Sequence, residues 1–254
     1  MNAPTLGKIP GNFAPAHAWD RNFHLLLLTG AWLGILMGFG GDIAQHLSAH
    51  RPAYPLIVHL HGIVFTGWLV LFTVQVLLVR RQKLAVHRRL GEAMGWVAGG
   101  MLILGPATAL HMQHLHAGQP GDDPAFLSIQ FTDMLGFAGL FLAGMLLRRS
   151  PAAHKRLMLL GTIYITDAGF ARWLGDSLAA RFGSGFGGFW ATLFLPPMLL
   201  MLAMGVYDLA TRRRLHPAYL AGLAWAMACQ LAALLLYGAA WWHDFAKRII
   251  SLAW

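Results

Sequence analysis

Seven stretches of about 20 residues, each with few or no ionised side chains, divide this chain of 254 residues. A helix needs about that length to cross the hydrocarbon of a bilayer, where every backbone polar group must be satisfied within the segment. The stretches fall at about 23–44, 54–79, 90–112, 126–147, 157–174, 187–207 and 217–242. The fourth carries Asp133, and the fifth is interrupted by Asp167 and Arg172. Charged residues make up only 11% of the chain, whereas a soluble domain carries about a quarter. Lipid, not water, is therefore the expected solvent for most side chains. The expected fold class is all-α: an integral membrane bundle of seven transmembrane helices in one domain spanning 1–254, arranged as one helix plus three hairpins.

The basic residues set the expected orientation. Arg80, Arg81, Lys83, Arg88 and Arg89 lie between the second and third stretches, and Arg148, Arg149, Lys155 and Arg156 between the fourth and fifth. Arg212, Arg213 and Arg214 lie between the sixth and seventh. With Lys8 and Arg21 these make 14 on one side, leaving Arg51, Arg172, Arg181, Lys247 and Arg248 on the other. Basic loops stay in the cytoplasm, which places the N-terminus inside and the C-terminus outside. Such short runs between apolar segments explain the net charge of +9 without nucleic acid as a partner. No small-residue cleavage site follows the first stretch, so it is expected to be a retained helix and not a removed signal peptide. The lone Cys229 excludes an intramolecular disulfide and a cysteine metal cage. Trp19, Trp96, Trp173, Trp190, Trp241 and Trp242 fall near helix ends, as interfacial tryptophans do.

The cytoplasmic turns resemble one another. Arg80-Arg81 precedes His87-Arg88-Arg89-Leu90, and Arg148-Arg149 precedes His154-Lys155-Arg156-Leu157; Arg212-Arg213-Arg214 precedes Leu215-His216-Pro217. Either an internal repeat or the shared demand for inner positive charge accounts for this. The inner histidines fit lipid headgroup anchoring, a quinone headgroup or a haem propionate. Gly91, Gly95, Gly99, Gly100, Gly105, Gly136, Gly139 and Gly144 are expected to let helices approach closely. Pro106 is expected to kink the third helix, and Pro196-Pro197 to break the sixth.

Histidines and carboxylates gather on the outer side, which the positive-inside rule does not require. His46, His50, His59, His61, His111, His114, His116 and His243 lie there, with Asp42, Asp122, Asp123, Asp133, Asp167, Asp176 and Asp244. At about 1.5 Å per residue, Asp133 stands about 20 Å above the cytoplasmic end of its helix, and Asp167 about 15 Å above the start of the next. A carboxylate at such depth needs a proton, a cation or a ligand beside it. Asp133 and Asp167 are therefore the candidate catalytic residues; the alternatives are an ion pair with Arg172 or a protonated carboxyl bonded to a neighbour.

Asp42 and His46 share a face one turn apart, as do His111 and His114. His59 and His61 point to opposite faces. The polar stripe Gly62, Thr66 and Thr73 below His59 aims it into the bundle, and Phe65, Trp68 and Phe72 go with His61. His59, His61, His111 and Arg172 are candidates to bind a cofactor, and Asp42, His46, His59, His111 and Asp133 to hold a metal. Imidazole with carboxylate suits zinc, iron or copper, and haem is the other expected cofactor. His50, His116, Asp122 and Asp123 are read as loop residues.

The segment His87-Arg88-Arg89-Leu90-Gly91, after a helix opening His59-Leu60-His61-Gly62, resembles bacterial polytopic membrane proteins of unassigned function. Asp208-Leu-Ala-Thr-Arg-Arg-Arg-Leu-His216-Pro217 strengthens that resemblance over about 55–220. It implies a multi-pass protein of the bacterial inner membrane. More distantly the chain is similar to b-type haem membrane cytochromes, which would imply haem on helix-borne histidines; here Asp133 and Asp167 occupy the comparable depth. It also resembles seven-helix zinc hydrolases of lipid amides, although the last stretch lacks a His-x-x-x-His pair.

Three functions stay open on these grounds. The first is an oxidoreductase whose outer-face metal or haem exchanges electrons with a quinol or periplasmic partner. The second is a zinc-dependent lipid hydrolase, with Asp133 or Asp167 as base. The third is a proton-coupled transporter or an assembly factor without enzymatic activity. No phosphate-binding loop, dinucleotide fingerprint or nucleophile elbow is present in the sequence.

Overall fold

The computed structural model describes residue 13, residues 17–50 and residues 52–252. Lys8 and Arg51, both counted in the charge asymmetry, lie outside the described residues. The described chain is all-helical: α1 Asp20–Ser48, α2 Leu56–Arg80, α3 Leu84–His116, a 3-10 turn Pro124–Phe126, α4 Leu127–Leu146, α5 Pro151–Tyr164, α6 Asp167–Phe182, α7 Phe186–Arg212, α8 Pro217–Tyr237 and α9 Ala240–Leu252. Among the described residues, α1, α2, α3, α4 with its preceding turn, α7 and α8 are each long and apolar enough to cross a membrane. The protein is therefore a multi-pass, membrane-embedded helical bundle.

The expected fifth span is two helices. α5 ends at Tyr164 and α6 begins at Asp167, with no proline between them. Four of the five residues 162–166 are β-branched (Thr162, Ile163, Ile165 and Thr166), which weakens helix propensity there. Thr166 completes the break by donating both its N–H, at 3.0 Å, and its hydroxyl, at 2.6 Å, to the Ile163 carbonyl. By contrast, α7 runs on through Pro196 and Pro197. Each proline removes one backbone donor, and the turns on either side keep theirs, so the expected break of that helix does not occur. α3 likewise continues past Pro106. The last expected span stops at Tyr237; a turn at Gly238 then starts α9, which is strongly amphipathic and buries Trp242, Ala246 and Ile250.

The main core gathers Leu27, Leu28, Trp68, Met101, Phe137, Leu160, Tyr164, Met201 and Tyr219 from α1–α5, α7 and α8. α1 meets α6 at its tightest point: a Cβ on Gly38 would overlap the Gly169 carbonyl, and one on Gly169 would lie 2.7 Å from the Gly34 carbonyl oxygen. Gly34 and Gly38 thus form the small-residue face that admits the broken helix. Glycines of α3 expected to serve this purpose do not all do so, because Gly95 and Gly99 face open space. Gly136, Gly139 and Gly144 of α4 do receive neighbours, namely Tyr164, Trp225 and Met158.

Candidate functional site

Asp133 sits in the seventh position of α4, and Asp167 opens α6 at the helix break. They are 9% and 4% exposed, and a side-chain hydrogen bond joins the two carboxyl groups. Asp167 Oδ1 also accepts the Ala168 N–H at 2.7 Å, as a carboxylate at a helix N-terminus does. Among the described residues no N–H or O–H donates to Asp133 Oδ1. Tyr164, the last residue of α5, lies close enough to feel both carboxyls, and its buried hydroxyl has no partner among the described residues. Cys229 of α8 is near enough to feel the Asp133 charge, and its neighbour Gln230 accepts from Trp190 Nε1 at 3.1 Å. The centre is thus built from four elements around a helix break, with two carboxyls at its middle.

Arg172, His46 and His61 of the other expected site residues have partners of their own. Arg172 lies 3.7 Å from Asp42 Oδ2, donates to the Ala168 carbonyl at 2.9 Å and stacks over Phe39. His46 bonds the Pro52 carbonyl at 2.8 Å and stacks on Tyr54. His111 is half-buried on α3. His59 is exposed and His61 is packed, stacked on Phe65 at 4.0 Å, the reverse of the sequence expectation. The aromatic face of α2, with Trp68 and Phe72, is the one buried in the core, and it carries His61 inward. Among the described residues no three of His, Cys, Asp and Glu form one group able to hold a metal.

A second polar cluster, missed in the sequence, occupies the Arg-rich end. Arg156 binds Asp208 through Nε at 2.7 Å and Nη2 at 2.5 Å, with both side chains buried. Asp20 receives both contacts of Arg212 Nη2 at 2.8 Å, Lys155 at 2.6 Å and Tyr207 Oη at 2.8 Å. Arg212 also reaches Asp208 at 3.4 Å, which links the two halves. Phe13 covers the guanidiniums of Arg156 and Arg212 at 4.5 and 5.3 Å, and its ring meets His216 edge-on at 4.8 Å. The network ties the start of α1 to α5 and the end of α7. Lys155, Arg156 and Arg212 were expected only as cytoplasmic surface charge. The signal for more was there: Asp20 and Asp208 are acidic residues on a basic side, and Asp208 precedes Arg212 by one turn.

Two of the repeated inner histidines also meet. His87 and His154 stand 6.3 Å apart edge-to-face, and His154 Nδ1 lies 2.8 Å from the Gly144 carbonyl. His216 instead caps α8, its Nδ1 accepting the Ala218 N–H at 3.1 Å. Burial first, then the positive charge of Arg156, holds this imidazole below its ordinary range.

No protein-family model, curated protein or solved structure matches the chain.

Proposed function

We propose that this chain is a seven-span protein of a bacterial inner membrane that binds and releases a proton at the Asp133–Asp167 pair, as part of proton-coupled transport. In this reading α5 and α6 together make the fifth crossing, with the N-terminus and the Arg-rich end in the cytoplasm. The observation that carries the proposal is the contact between two buried carboxyl groups at a helix break. Two carboxylates touching in apolar surroundings cannot both stay ionised, so the pair retains a proton that a change of surroundings can release. Buried acids of this kind are the usual proton carriers in membrane proteins. Interrupted helices are where carriers build their binding sites, since half-helix ends offer backbone dipoles at membrane depth.

The redox and zinc-hydrolase readings stay as alternatives to this one. One set of measurements separates the three. Infrared difference spectra of the detergent-purified protein are expected to show a carboxylic C=O band that titrates with pH and disappears in Asp133→Asn and Asp167→Asn. If no such band exists, the proton site is wrong. A haem absorption spectrum, or stoichiometric zinc, iron or copper in the same preparation, would replace it with one of the other readings, quinone partnership included.

A further inference from the structure

One more buried oxygen lies near the carboxyl pair without bonding to it. Tyr164 is 2% exposed, and its hydroxyl, which has no partner among the described residues, lies over Gly136. Gly136 is one turn from Asp133 on the same face of α4. A Cβ there would overlap the tyrosine ring, so glycine is what allows the phenol to pack on α4 one turn from Asp133. Leaving a hydroxyl buried and unbonded costs about 1–3 kcal/mol, so the group calls for a strain, catalytic or ligand-binding explanation. Tyr164 also ends α5, and the negative end of that helix dipole offsets the positive end of α6 at Asp167.

We propose that the oxygens of Asp133, Asp167 and Tyr164 form a binding site for a small monovalent cation of the sodium class, which exchanges with the proton held between the two carboxyls. This rests on the reading of the pair as an exchangeable proton site. An all-oxygen donor set suits hard cations and not copper or other soft metals. Magnesium demands a near-ideal octahedron and keeps several waters, which a buried site of fixed side chains does not offer. Charge makes the same choice. Exchange of one proton for one monovalent ion leaves the net charge of the centre unchanged, whereas a divalent ion would add positive charge where Arg172 of α6 already acts on Asp167. The titratable or charged groups acting on the pair are Tyr164 from α5, Arg172 from α6 and Cys229 from α8. The balance is simple: the cation binds, one proton leaves, and no covalent bond other than O–H breaks.

The test uses the full chain in detergent at fixed pH and ionic strength, replacing choline chloride by sodium chloride. The carboxylic C=O band and proton release into weakly buffered medium are followed together. Sodium is expected to bleach the band and release one proton per chain, with choline inert. Tyr164→Phe is expected to keep the band and raise the sodium concentration needed by at least about tenfold. Asp133→Asn and Asp167→Asn are expected to abolish the response; should they fail to fold, the comparison of Tyr164→Phe with the parent chain still decides. A band that titrates with pH but ignores sodium overturns the cation site and leaves the proton site standing. An unchanged sodium midpoint in Tyr164→Phe overturns the assignment of the phenol as a ligand. Absence of any titrating band removes the proton site as well.

Discussion

Arg156 and Asp208 are joined by two hydrogen bonds of 2.7 and 2.5 Å, from α5 to α7, with about 2% and 1% of their side chains exposed. A bidentate pair so deeply enclosed fixes the spacing of those helices, because neither charge has water to turn to. Replacing Asp208 by Asn should cost about 3–5 kcal/mol, mostly from the stranded guanidinium. Lysine in place of Arg156 should rescue little, since it lacks the fork that meets both carboxylate oxygens. Replacing the pair together by Met and Leu should restore much of the loss. Thermal unfolding of the three variants in one detergent checks this; equal stability of Asp208→Asn and the parent would contradict the arrangement.

The α1–α6 contact makes opposite predictions for glycines that look alike in sequence. Gly38→Ala must push against the Gly169 backbone and should destabilise by about 1–3 kcal/mol. Gly95→Ala meets nothing within 4 Å and should be neutral or stabilising, by up to about 1 kcal/mol from helix propensity. Melting temperatures that rank the two the other way would mean that α6 does not rest on α1 as described.

The hydrophobic pattern reveals where helices run but not which faces they bury. In water the apolar face is the inner one, so periodicity points to the core. In lipid both faces are apolar and that signal vanishes. Small polar neighbours therefore point His59 inward in the sequence, while the aromatic stripe of Trp68 and Phe72 decides the packing and turns His61 in. The paired aspartates were legible because a carboxyl in a long apolar stretch is conspicuous on any ground. Their contact was not, since it depends on a break at Thr166 that arises from β-branching and a side-chain hydrogen bond, weaker signs than the prolines of α7. The Asp20–Asp208 network was hidden for a different reason: a positive-inside loop supplies a sufficient cause for every arginine in it, and the buried ones look the same as the exposed.

At the opposite end, α9 is held to the turn before α4 by one strong anchor. Trp242 Nε1 donates to the Ala125 carbonyl at 3.0 Å, and Tyr237 Oη donates to Asp123 at 2.7 Å just before the helix begins. Trp242→Phe should lose about 1 kcal/mol and keep α9 docked, because the ring still fills its place. Trp242→Ala should free the helix while leaving the rest of the bundle intact. Hydrogen exchange of 240–252 is the measurement. Protection unchanged in the alanine variant would show that α9 is held by something other than this side chain.

His216 gives the Arg-rich end a pH dependence whose sign follows from its position outside the spans. Its neutral Nδ1 accepts the Ala218 N–H and caps α8, and burial with the nearby Arg156 charge disfavours the imidazolium. The folded-state pKa therefore lies below the ordinary value of about 6.5 that the unfolded chain retains. As pH falls through about 6.5 the unfolded chain takes up a proton that the folded one refuses, so stability drops across that window; above it the contribution of the cap is complete. Asn keeps an acceptor at the cap without titrating. The stability advantage of the parent over His216→Asn should accordingly shrink between about pH 7.5 and pH 5. Unfolding midpoints of both chains at the two pH values decide it, and a constant difference would mean that His216 carries the proton equally well folded and unfolded.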